Sequence, residues 1–191
     1  GSTSSKLSGF IEGYGSDNYA SNVWAGLYYN TTRKRQAQGF KVSSSTSPTA
    51  TVLSMHKSVS GLTTVSLRVE IQTDNSGLPS GTAVTNGVSD VVLVSSFSSQ
   101  YNVDKSFTFS TPPTLSADTQ YHLVLIAYTD EAGTVEQSSV NTSCIFWNFD
   151  YSGSYANGSY ALMNTTGVWS ANTGYDHIFG LYDSNAKTLT A

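Results

Sequence analysis

The chain has 191 residues, 12% charged side chains and a net charge of −4 with a pI near 5.1. That length suits one domain with a substantial core, while the acidic balance speaks against nucleic-acid binding, which needs a basic footprint. No apolar run approaches the roughly 20 residues that span a bilayer, so no membrane-inserted segment is expected.

The 12 Tyr and 8 Phe residues supply core volume that aliphatic side chains supply elsewhere. Ser, Thr, Asn and Gly take the place of charges on the surface, a composition that suits strands and turns and an extracellular or virion surface. Residues 1–36 read as a lead-in with an edge strand, 37–182 as the folded sandwich and 183–191 as a tail or linker.

In chain order, strand-like runs fall at 23–29, 38–42, 51–56, 65–72, 91–94, 106–110, 121–128, 144–151, 159–163 and 177–182. Within the first connection, Arg33-Lys34-Arg35 is the one basic run and reads as a solvated edge-strand gatekeeper. The run 65–72 alternates strictly: Val65, Leu67, Val69 and Ile71 on one face, Ser66, Arg68, Glu70 and Gln72 on the other. Asp74-Asn75-Ser76-Gly77 then closes it as a turn. Tyr121 to Tyr128 is apolar on both faces, which predicts a central strand. Gly133 makes 130–137 a loop instead of a helix. Cys144 is alone, so it predicts no internal disulfide and no metal spacing, only a buried thiol. Runs of this length and punctuation predict an all-β, antiparallel two-sheet β-sandwich, and the irregular loops favour jelly-roll topology over a propeller.

Several segments carry a resemblance. They are Ala37-Gln38-Gly39-Phe40; Val69 to Gly81; Phe107 and Phe109 with Pro112 or Pro113; Leu115, Ala117, Thr119, Tyr121, Leu123 and Leu125; and late Trp169 with Asp176 and Phe179. Together they resemble a jelly-roll sandwich module of phage tail proteins and bacterial surface proteins, similar to carbohydrate-binding modules. The resemblance covers about residues 37 to 182. It implies an accessory module that binds glycans or decorates a virion or cell surface. Asp118 stands where the pattern carries Gly, which implies a left-handed turn that Asp tolerates.

Aromatic side chains are the leading candidates for binding. Trp147, Tyr151, Tyr155, Tyr160 and Trp169, interleaved with Asn157 and other amides, have the chemistry of a sugar platform: rings stack on C–H faces and amides meet hydroxyls. Tyr14, Tyr19, Trp24, Tyr28 and Tyr29 form a second set. No cofactor is expected; calcium is the one candidate to weigh against that, with Asp74, Asn75 and Asp176 as oxygen ligands and Asp130-Glu131 as a further option. None has EF-hand spacing.

Catalysis is not expected. Glu70 is the one convincing mid-strand carboxylate, and Glu131 or Glu136 would pair with it only through loop placement. His56, His122 and His177 lie on separate strands, and no nucleophile elbow or phosphate loop occurs. Sequons at Asn30, Asn141, Asn157 and Asn164 do not identify a source. The expected function is therefore a non-catalytic module binding surface polysaccharide. The alternative is a structural protein that docks on virion or surface proteins, or forms a homo-oligomer through its edges and residues 1–36. A glycan hydrolase or lyase built on Glu70 is third.

Overall fold

The computed structural model describes residues 9–15, 23–26, 33–57, 64–97, 103–138, 145–150 and 155–183. Among them are fourteen strands, one three-residue 3-10 turn at Val94–Ser96 and no α-helix. Among the described residues no helix is long and apolar enough to cross a membrane. The strands are β1 (Phe10–Tyr14), β2 (Val23–Gly26), β3 (Arg35–Phe40), β4 (Ala50–Lys57), β5 (Ser66–Asn75), β6 (Leu78–Val88) and β7 (Val92–Leu93). There follow β8 (Val103–Thr108), β9 (Tyr121–Tyr128), β10 (Ile145–Asp150), β11 (Tyr160–Met163), β12 (Trp169–Asn172), β13 (Asp176–His177) and β14 (Phe179–Tyr182).

Two antiparallel sheets pack face to face, the sandwich that the alternating runs predict. The first follows the order β1-β14-β4-β10-β13, with β2 on β10 and β8 on β4. The second runs β12-β11-β3-β9-β5-β6, with β7 on β5. Between them lies the core: Phe40, Leu53, Met55, Leu67, Val69, Ile71, Phe107, Leu123, Leu125, Trp147, Phe179 and Leu181 are all essentially inaccessible to solvent. Alternation drives this sorting. Leu67, Val69 and Ile71 face inward because Arg68 and Glu70 between them must face out.

The central position of β9 agrees with its apolar sequence. All eight residues are buried, between β3 on one side and β5 on the other. Asp118 takes φ 53°, the left-handed turn that its place in the sequence implied.

Three readings need correction or extension. The lead-in supplies β1, paired with β14, and β2, paired with β10, while β3 runs across the 36/37 boundary. Arg35 is no edge gatekeeper: β3 is an interior strand, paired to both β11 and β9. β6 was not legible, because Pro79, Gly81 and Gly87 interrupt its pattern.

The C-terminal strands solve a local problem. β4 pairs with β10 through Met55–Lys57, but with β14 through Ala50–Leu53, so the two strands diverge like a fork. β13 enters the fork along β10 and β14 leaves along β4, turning at Ile178. The vertex is satisfied by hydrogen bonds from Ile178 N to Asn148 O (3.0 Å), and from Ser54 N (3.3 Å) and Trp147 Nε1 (3.0 Å) to Ile178 O. Asn148 Nδ2 donates to Ser54 Oγ across the gap at 2.9 Å. Both backbone groups of Ile178 thus find partners, as burial demands.

Candidate functional site

The aromatic residues singled out from the sequence do not form one platform. Trp147 is fully buried, its ring stacked on His177 at 3.9 Å with planes 9° apart. Tyr160 is 3% exposed and packs against Phe149 and His177. Both are core, so neither offers a face to a sugar. Tyr155 is partly buried, edge-on to Phe179 at 5.6 Å and tilted against Tyr14 at 5.8 Å. Burial pushes its phenol pKa well above the ordinary range. Asn157 engages through its backbone carbonyl, which accepts Gln120 Nε2 at 3.2 Å. Tyr151 lies outside the described residues, as do Cys144, Tyr19, Tyr28 and Tyr29. Trp169 is the exception: it is half-buried on the outer face of the second sheet.

The calcium candidates do not meet either. Asp74 sits on the outer face of the second sheet, its Oδ1 2.7 Å from His122 Nε2 and 3.1 Å from the Gly77 N–H. Asn75 is paired with Leu78 at the start of the hairpin turn. Asp176 lies between the sheets, where its carboxylate accepts Gln38 Nε2 at 3.1 Å and Tyr155 N at 3.0 Å. Burial raises its pKa, with the charge of Asp150 adding to the effect. Two carboxylates that each receive N–H donors, on opposite sides of one sheet, do not make an oxygen cage. Among the described residues no three His, Cys, Asp or Glu side chains gather into a metal-ligand group.

Around Trp169 the registers define a surface. Ala171, Ala161, Ala37, Val124 and Glu70 are successive cross-strand neighbours from β12 through β11, β3 and β9 to β5. Gly39, His122 and Gln72 form a parallel row on one side, and Trp169, Met163 and Arg35 one on the other. Ala161, Ala37 and Val124 of this row are nevertheless fully buried, because Leu78 and Trp169 cover the cluster of Ala37, Val124, Ile126, Tyr128 and Ala161.

The β5–β6 hairpin positions Leu78. Ser76 (φ 53°) and Gly77 (φ 89°) form a two-residue turn with both φ positive, the type I′ geometry that matches strand twist. Beyond it, β6 carries extra residues against β5, with register shifts on either side of Gln72. The first of these bulges brings the Gly81 N–H to Gln72 Oε1 at 2.9 Å. The Gln72 amide then donates from Nε2 to Glu70 Oε2 at 2.8 Å. His122, 2% exposed beneath the hairpin, is tied to Asp74; burial lowers its pKa, against the opposing pull of that carboxylate.

At the other end of the face the 130–138 loop folds over β5 and β9. Asp130 caps it, accepting Thr134 N, Thr134 Oγ1 and Val135 N, and these bonds hold its carboxyl pKa down. Arg68 donates to three carbonyls, Ser89 O (2.7 Å), Ala132 O (2.9 Å) and Gly133 O (3.2 Å). Glu136 bridges to Tyr128 and grips Arg35 with both oxygens, Nε and Nη2 each at 2.8 Å; Lys34 Nζ stands 3.8 Å away. This pair raises the Arg35 pKa, and the Glu70 charge adds to it. The Tyr128 phenol is shifted up by burial and then by Glu70.

The result is an outer face with a half-buried indole at one edge, a covered small-residue centre, and the partly exposed Glu70 and Arg35–Glu136 pair held in fixed orientations, Glu70 by the buried Gln72. Trp169 and Glu70 were legible as candidates. Arg35 and Glu136 were legible singly, in a basic run and as a candidate partner of Glu70, but their pairing with each other and the packing of Leu78 were not, since these contacts join residues distant in sequence. No protein-family model matches the chain, and no curated protein is significantly similar to it.

Proposed function

We propose that this chain is a non-catalytic module that binds surface glycan through the outer face of its second sheet, in an extracellular or virion-surface setting. One observation carries the reading: a half-buried Trp169 lies on the same sheet face as the partly exposed Glu70 and the Arg35–Glu136 pair, whose polar groups are oriented by hydrogen bonds. An indole supplies the flat apolar surface on which a pyranose C–H face stacks, and fixed carboxylate groups accept its hydroxyls. Groups held in place before binding lose little entropy when a ligand arrives. The strand orders β2-β10-β4-β8 and β3-β9-β5-β6, with the chain crossing between sheets at most connections, support the jelly-roll reading of this sandwich.

The test is a glycan array followed by titration on tryptophan fluorescence. Trp169→Ala should weaken binding at least tenfold, whereas Trp147→Phe should leave affinity unchanged. Absence of any binding tighter than millimolar, or binding indifferent to Trp169→Ala, rejects the proposal.

A second reading has one observation in its favour. β12 pairs only with β11 among the described residues, and Ser170, Ala171 and Asn172 along it are exposed and uncharged. An edge without a guarding charge or proline can accept a partner strand, as a decoration or assembly protein would use it. Light scattering separates the two: a stable oligomer abolished by Ala171→Pro favours assembly.

A further inference from the structure

Resting on the second reading above, we propose that β12 is the edge through which two copies of this chain associate, pairing antiparallel about a two-fold axis at Ser170 and joining their second sheets into one. The partner follows from charge and from which edges are guarded. From Tyr151 to Tyr175 the sequence carries no charged side chain, so two copies of the β11–β12 hairpin approach without repulsion, although the chain is acidic overall. Among the described residues the edge strands of five residues or more are protected: β1 by Glu12 and a bulge, β6 by Pro79 and bulges, β8 by Asp104 and Lys105. β12 has none of these guards, and Ser170, Ala171 and Asn172 are exposed. With no charge to select a foreign strand, the edge is complementary to its own copy, the isologous arrangement of a two-fold dimer.

The hairpin fixes which backbone groups face outward. Asn164 N donates to Val168 O at 2.9 Å, and on the other side of β11 Gly39 N donates to Ser159 O at 3.0 Å. Even-numbered residues of β11 therefore turn their backbone groups toward β12, and odd-numbered ones toward β3. The register sets Leu162 opposite Ser170, and Met163 and Ala161 opposite Trp169 and Ala171. Ser170 thus bonds to β11, while the N–H and C=O groups of Trp169 and Ala171 point away from the sheet. Antiparallel strands related by a two-fold axis set residues of the same face opposite one another. With Ser170 opposite its own copy, Trp169 and Ala171 of each chain exchange N–H···O bonds with Ala171 and Trp169 of the other, and no outward group of the strand is left over. An axis at Ala171 would carry the pairing to Thr173, which lies in the turn beyond β12. The side chains agree: the small Ala171 leaves space beside the half-buried indole of the second copy's Trp169, on the same outer face.

Light scattering and sedimentation over about a hundredfold range of protein concentration test the proposal. Wild type should pass from monomer to dimer as concentration rises. Ala171→Pro removes an outward N–H, and Ser170→Lys or Ser170→Glu sets like charges opposite each other at the axis, so each should weaken dimerisation at least tenfold. An equimolar mixture of Ser170→Lys and Ser170→Glu should dimerise again, since the charges then attract. Ser170 is exposed, so at low concentration these two variants should keep the urea midpoint of the wild type. A dimer lost in Ala171→Pro but unchanged in both Ser170 variants, or not restored by mixing them, overturns the axis while the edge reading stands. A wild type monomeric throughout overturns self-association, and any use of the edge then falls to a foreign strand. An oligomer indifferent to Ala171→Pro overturns the inference and the edge reading together.

Discussion

Lowering the pH from 7.5 to 5 should destabilise this protein by about 2 kcal/mol through one side chain, His177. The ring is wholly buried, stacked on Trp147 and close to Tyr160, with Nδ1 3.3 Å from the Asn148 carbonyl and no hydrogen-bond partner for Nε2. Desolvation pushes its pKa down to about 3, against the smaller opposing effect of the Asn148 and Trp147 carbonyls. The unfolded chain takes up the proton near pH 6.5, so between those values unfolding binds a proton that the folded state refuses. A depressed histidine pKa therefore means stability present above about pH 6.5 and lost as the pH falls. The slope is about 1.4 kcal/mol per pH unit, and the loss at pH 5 is about 2 kcal/mol. For a domain of this size that is a fall in Tm of roughly 4–8 °C. The lowered pKa of His122 adds in the same direction. The raised pKa of Asp176 opposes it, since the folded state then takes the carboxyl proton first.

His177→Phe isolates the contribution. The aromatic stack is kept, the orphan Nε2 is removed, and the Asn148 carbonyl still accepts Ile178 N at 3.0 Å. At pH 7.5 the variant should lose about 1–3 kcal/mol relative to wild type, because the six-membered ring slightly overpacks the site. Between pH 7.5 and 5 the difference from wild type should shift by about 2 kcal/mol in favour of the variant. Urea unfolding followed by tryptophan fluorescence at half-unit pH steps measures both. Equal pH slopes for the two proteins would refute the reasoning, because they would mean that the folded state accommodates a charged His177.

Two further sites test the packing. A Cβ at Gly158 would lie 2.1 Å from both the carbonyl carbon and oxygen of Gly39, backbone that cannot step aside, so Gly158→Ala should lose roughly 3 kcal/mol or more, or fail to fold. Gly77→Ala meets no atom within 4 Å and bears only the strain of φ 89°, so its urea midpoint should fall by the equivalent of about 1 kcal/mol. Arg68→Met keeps the stem and leaves three loop carbonyls without their donor. It should cost about 2 kcal/mol and open the 130–135 loop to proteolysis, read by mass spectrometry of limited digests.

What could be read from the chain follows from the range over which each signal acts. β5 was legible because Val65, Leu67, Val69 and Ile71 alternate with polar neighbours. Its last residues were not: Asp74 and Asn75, read as part of a turn, pair with Pro79 and Leu78 and extend the strand, and only Ser76-Gly77 turn, because Thr73-Asp74-Asn75 has no apolar alternation to mark it. β6 escaped because bulges absorb the residues that break its alternation, a feature of the pairing and not of either strand alone. The same period of two also bears on the aromatic segment. Trp147 shares its parity with Ile145 and Phe149, all three buried, while Phe146 and Asp150 on the other parity are less so. Asn148 is buried as well, as the fork requires, so composition around Trp147 looked like a binding loop when its parity pointed to the core. The outer face is a different case. Ala37, Ala161 and Ala171 carry no signal in isolation; they become a floor only when β3, β11 and β12 come into register, and Glu136 reaches Arg35 across 101 residues of chain. Glu70 was visible as a solitary carboxylate on a wet face, but the Gln72–Gly81 link that orients it depends on a bulge in another strand. Local alternation thus sorts inside from outside, whereas the polar constellation of the face is a product of register between distant strands, and any chemistry it supports resides at that level.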